Sequence, residues 1–189
     1  MGRFLLGLVL GLLLVPASIF AWFKYGKVPV AVNDMPLPEE RLITSVPLSA
    51  RLEREMVTTP PIQPTEENLI AGAKIYHQQC AVCHGIHTRP SSFGPHMFPS
   101  APPLWEAHRN GTVVGVSDDP PGETYWKVAN GIRLTGMPSY KGILSDAQMW
   151  QVSVLLANAD KPLPPAAFGI LTNRQPSAPA APDTPEENQ

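Results

Sequence analysis

Apolar and polar residues divide this chain into stretches of different pattern. From Phe4 to Phe23 twenty residues run without a charge, and as a helix rising about 1.5 Å per residue they span roughly the 30 Å hydrocarbon core of a bilayer. Residues 1–23 are therefore expected to form a transmembrane anchor. The competing reading is a cleaved signal peptide, with Arg3 as its basic start and Phe4–Val15 as its apolar stretch. Ala17 and Ala21 lack the spacing of an A-x-A cleavage site, and Trp22, Phe23 and Tyr25 resemble an interfacial aromatic belt, which favours the anchor.

Helical signals return in the centre. Thr65 is placed as a cap before Glu66 and Glu67, and Leu69, Ala73 and Tyr76 then share a face, so a helix is predicted from about 66 into Cys80. Asp119 followed by Pro120 reads as an N-cap and first helical residue, with Gly131 closing a helix over 120–130 that carries Tyr125 and Trp126. Ser145 and Gln148 form a capping box, flanked by Leu144 and Met149 as a hydrophobic staple, and open a third helix to about Asn158. No stretch alternates with period two, which predicts an all-α domain over residues 65–160. Residues 85–118, rich in Pro, Gly, Ser and His, read as one long loop that either does something or wraps something.

Composition sharpens the boundaries. Of the 23 prolines, seven fall in residues 24–64 and seven in 160–189. The first group predicts an extended, semi-rigid tether over 24–64, with a short helix over Ser49–Met56 as its one helical candidate. The second, with few large apolar residues, predicts a disordered tail over 161–189, with Phe168–Leu171 as its docking candidate. A net charge of −2 offers no footprint for nucleic acid. Two cysteines are too few for a disulfide scaffold, a four-cysteine zinc site or an iron–sulfur cluster.

Both cysteines lie in Cys80-Ala81-Val82-Cys83-His84, a C-x-x-C-H sequence. This is the attachment signature of haem c: two thiols add across the porphyrin vinyl groups and the adjacent imidazole ligates iron. A sixth ligand is offered by Met137 on the glycine–proline turn Gly136-Met137-Pro138, where a soft thioether favours ferrous iron. His77, His87, His96, His108 and Met97 are the alternative donors, with His96 and Met97 in the long loop as the rivals to Met137.

In these motifs the chain resembles a membrane-anchored class I cytochrome c with a single haem. Cys80, Cys83 and His84 match the family's haem-binding motif, and Gly136-Met137-Pro138 its distal loop. Gly72, Tyr76 and Trp150 match the family's crossing of terminal helices, in which glycine lets an aromatic ring approach the backbone. Ala101-Pro102-Pro103-Leu104 resembles Gly-Pro-x-Leu, with Ala101 in place of the glycine; there the Pro102 carbonyl would accept the proximal imidazole N–H and Leu104 would cover the haem.

The resemblance implies three to four helices wrapped around one covalently bound haem, preceded by a transmembrane helix, with Tyr125 and Trp126 near the cofactor. It also implies His84 and Met137 as axial ligands and a haem domain on the periplasmic side of the inner membrane. The expected function is one-electron transfer in a respiratory chain, with membrane-bound or periplasmic redox proteins as partners and no small-molecule substrate. An electron-entry subunit of an oxidoreductase complex is the alternative. A catalytic or sensing haem protein would need an open sixth position, against which Met137 argues.

Overall fold

A computed structural model describes residues 1–109 and 111–172. Among them the regular elements are seven α-helices and one short 3-10 turn, with no strand. The chain divides into two compact units, residues 1–46 and the part from Pro47 onward.

In the first unit, helix α1 (Gly2–Tyr25) buries none of its side chains. It is long and apolar enough to cross a membrane, a test that an N-terminal signal sequence also passes. The turn after it is closed by the Asp34 carboxylate, which accepts the N–H groups of Val30 and Ala31 at 2.8 and 2.9 Å.

Helix α2 (Glu40–Glu55) begins in the first unit and ends in the second. The expected short helix at 49–56 is thus twice as long, and the chain is helical where the prolines predict an extended tether. The boundary between the units falls at Pro47 inside α2, which has no N–H to donate to the turn before it.

The second unit is built on α3 (Glu66–Gln79) and α6 (Asp146–Leu156), which pack on each other, with α5 (Pro121–Asn130) against α6 and α7 (Pro165–Thr172) against α3. The caps form as their sequences predict. Thr65 Oγ1 accepts the Asn68 N–H at 3.3 Å, and Ser145 and Gln148 complete their reciprocal box. Helix α5 starts one residue later than expected, with Pro120 as N-cap and Pro121 in the first turn. Both prolines tolerate positions where no backbone donor is needed, so Asp119 is left outside the cap; its carboxylate lies 3.8 Å from Lys127 instead.

The core holds Ala73, Tyr76, Val152 and Leu155, all with no exposed surface, around which Leu69, Val128, Met149 and Leu156 pack. At Gly72 a Cβ would overlap the Gln151 carbonyl and press on Leu155. The crossing at this glycine is therefore backbone against backbone. Trp150, expected with Gly72 and Tyr76 at this crossing, stacks on Tyr125, 4.2 Å between centroids and 10° between planes.

The predicted tail is ordered at its start. Helix α7 buries Ala167 and Leu171 completely, which offsets the entropy of fixing eight residues. Phe168 stays exposed and meets the His87 ring edge-on at 5.0 Å. The rest of the expected disordered tail, 173–189, lies outside the described residues.

Candidate functional site

Helix α3 ends at Gln79, and after Cys80 a single further turn, α4 (Ala81–His84), carries the motif. The Cys83 and His84 N–H groups both reach the Cys80 carbonyl, at 3.1 and 3.0 Å. One helical turn therefore sets the two sulfurs and the imidazole relative to each other. Both cysteines are free thiols and half-buried. Burial, and then the charge of Cys83, push the Cys80 thiol up to about 12.

His84 Nδ1 lies 2.8 Å from the Pro102 carbonyl. A carbonyl can only accept, so Nδ1 carries the proton and Nε2 is left with its lone pair. Burial lowers the pKa of His84 from the ordinary imidazole value, and the bond to Pro102 opposes that shift without cancelling it. A neutral imidazole with a free Nε2 is the form that binds a metal. Replacement of the family glycine by Ala101 leaves this contact intact. Leu104, expected beside it, is buried in the main core, with its N–H 3.4 Å from the His84 carbonyl.

Met137 sits in a turn that leans on the end of α5. Gly131 terminates that helix with φ 67°, and a Cβ on it would crowd the Met137 carbonyl, the Pro138 carbon and the Ser139 nitrogen. Only glycine serves both demands. The turn is held by Thr135 Oγ1, which accepts the Met137 N–H at 3.0 Å, and by the Ile132 N–H, which donates to the Met137 carbonyl at 3.2 Å. Leu134, exposed and at φ 62°, makes the reversal. Met137 itself is half-buried and packs on the core.

Tyr140, which the sequence reading overlooks, ties this turn to the motif. Its hydroxyl donates to the Gln79 carbonyl at 2.9 Å, one residue before Cys80, and its own N–H donates to the Val128 carbonyl at 3.0 Å. Its partner lies 61 residues away in sequence; the only local signal is a tyrosine three residues past Met137. Trp105, also overlooked, is buried next to Leu104 and meets Tyr76 edge-on at 5.5 Å.

Tyr125 and Trp126 have their polar atoms engaged by other protein groups. The Tyr125 hydroxyl donates to Asp146 at 2.8 Å, and the Trp126 indole N–H donates to Glu55 at 3.0 Å. Among the rival donors, His96 and His108 are exposed, His77 and Met97 are half-buried, and His87 lies against Trp105 and Phe168.

Two free thiols on one helical turn, an imidazole with Nε2 available and a thioether on a fixed loop fit the donor set of a covalently held haem. Residues 67–156 match the family model described as cytochrome c oxidase, cbb3-type, subunit III. These residues form a class I c-type cytochrome domain. A cytochrome domain of this class implies haem c binding and supports haem-based electron transfer. No curated protein matches the chain. Among solved structures, the reducing HAO-like protein complex of Kuenenia stuttgartiensis is similar at 20% identity with a TM-score of 0.42. That match covers 74% of this chain and 54% of the other, and a likeness of this size supports no argument about partners.

Proposed function

We propose that the protein is a membrane-tethered one-electron carrier with a single haem c. In this reading Cys80 and Cys83 hold the group covalently, His84 is the proximal ligand and Met137 the distal one. Bound haem c supplies a ferric–ferrous couple at one iron. The chain's own residues do the rest. The Pro102 carbonyl fixes the His84 tautomer and ring direction, the Thr135 hydroxyl and Gly131 fix the Met137 turn, and Tyr140 holds the distal turn against the end of α3. His84 and Met137, held this way, would keep a haem c bound between them with little rearrangement of the protein on a change of oxidation state.

The observation that carries the reading is the bond between His84 Nδ1 and Pro102 at 2.8 Å, which leaves Nε2 as the donor beside two free thiols. Helix α1 is proposed to anchor the chain once in the inner membrane, with the cytochrome domain on the periplasmic side facing membrane-bound or periplasmic redox partners. The description of the matching family favours a second arrangement, a fixed redox subunit of an oxidase-like complex. Intact mass under denaturing conditions tests the cofactor: one haem per chain is expected, and a Cys80→Ala/Cys83→Ala variant that still carried covalent haem would refute the assignment.

A further inference from the structure

The loop after the attachment motif is fastened to the motif at one end and meets the distal turn at the other. Ser91 Oγ donates to the Val82 carbonyl and accepts the N–H groups of Phe93 and Gly94 at 3.0 and 2.8 Å. Gly94 lies so close to the Cys83 carbonyl that a Cβ on it would overlap that oxygen. The 3-10 turn Gly94–His96 then redirects the chain, with the Met97 N–H on the Gly94 carbonyl at 3.2 Å. Farther on, the same Gly94 carbonyl accepts the Ala101 N–H at 3.1 Å, closing the loop on itself.

This geometry delivers the half-buried Met97 side chain to Gly136. Its Cε methyl occupies the space that a Cβ on Gly136 would fill. Gly136 is not in the left-handed region, so its missing side chain serves this contact and not the turn. Methionine suits such a gap, because an unbranched thioether adapts to an irregular surface.

We propose that Met97 is a positioning residue: seated on Gly136, it clasps the distal turn against the attachment loop and keeps Met137 in the ligating position. The proposal rests on the reading of Met137 as distal ligand. The bonds from Thr135 and Ile132 shape the turn internally, whereas Met97 joins it to a segment that is itself tied to Val82 and Cys83. An exogenous ligand must wait for Met137 to swing away, so its apparent affinity scales with the fraction of molecules whose turn is open.

Imidazole titration of the oxidised full-length protein, followed by loss of the thioether-to-ferric charge-transfer band, tests this. Met97→Ala is expected to tighten imidazole binding about tenfold, while Met97→Leu, of similar volume, stays within about twofold of wild type. Gly136→Ala should act like Met97→Ala, because its Cβ displaces the flexible end of Met97 rather than backbone. Added to Met97→Ala it should change nothing further, and it carries the test should Met97→Ala accumulate poorly. Wild-type imidazole affinity in both single variants, simple additivity of the two, or a Met97→Leu as open as Met97→Ala would overturn the clasp. A wild-type protein without the band overturns the ligand assignment and the clasp together; a band with unmoved affinities overturns the clasp alone.

Discussion

The two sides of the candidate haem site are held by different means. On the proximal side, His84 is fixed by its place on one helical turn with both cysteines and by one bond to a backbone carbonyl 18 residues away. On the distal side, Met137 depends on a glycine-terminated helix, a strained leucine, a threonine hydroxyl, a tyrosine reaching back to Gln79 and a methionine from another loop. In the proposed ligation, the proximal residue His84 is local and rigid by construction. The proposed distal residue, Met137, is positioned by distant parts, which on this proposal makes its side the one where potential and ligand exchange can be adjusted by substitution.

The largest effect on this contrast is expected from Met137→His. Imidazole stabilises ferric iron better than a thioether, so the midpoint potential should fall by on the order of 0.1 V or more while the haem stays low-spin and covalently attached. A redox titration checks this, and an unchanged potential would place the distal ligand elsewhere.

A second contrast lies between the cytochrome core and the strap that precedes it. Leu52 on α2 is buried, Glu55 accepts the Trp126 N–H, the Arg51 guanidinium lies 5.8 Å from the Trp126 ring centroid, and the Val57 carbonyl sits against Gly122 where a Cβ would collide. The end of α2 is thus part of the folded domain. Leu52→Ala should destabilise it by about 3 kcal/mol, read from denaturant unfolding of the haem-loaded protein. A change below the level of an exposed substitution would mean that the strap adds nothing.

The motif from Cys80 to His84 was legible in the sequence because its chemistry fits within five consecutive residues. Thr65 and the Ser145–Gln148 box were legible for the same reason, since a cap and its partner lie three residues apart. The strap was not, because the Glu55–Trp126 bond joins residues 71 apart and the prolines around it argued for extended chain. Pro47 is accommodated because the packed half of α2 lies after it. Helix α7 was hidden by composition: alanines and prolines read as disorder until Ala167 and Leu171 find a buried face on α3. The stacking of Trp150 on Tyr125 was not legible, because the two rings lie on different helices and only their packing brings them together.

A smaller effect is expected from pH at the strap. The Trp126 N–H, and then Arg51, hold the Glu55 carboxyl below the usual carboxylate range. A carboxylate with a lowered pKa in the fold stabilises above its unfolded pKa and loses that contribution as pH falls through the folded value. The protection of residues 49–57 against hydrogen exchange, taken relative to the unstructured chain at the same pH, should therefore fall modestly as the solution is acidified below the ordinary glutamate range, and Glu55→Gln should be less protected already at neutral pH. Protection that stays constant across that pH range would detach Glu55 from the latch.

The proposal of a single haem held between His84 and Met137 is tested most directly by proton NMR of the ferrous protein. A methionine methyl above a haem plane is carried far upfield by the ring current. One such three-proton signal is predicted, present in Met97→Leu and absent in Met137→Leu. A signal that survived Met137→Leu and vanished in Met97→Leu would assign the ligand to the attachment loop and contradict the distal side of the site as described.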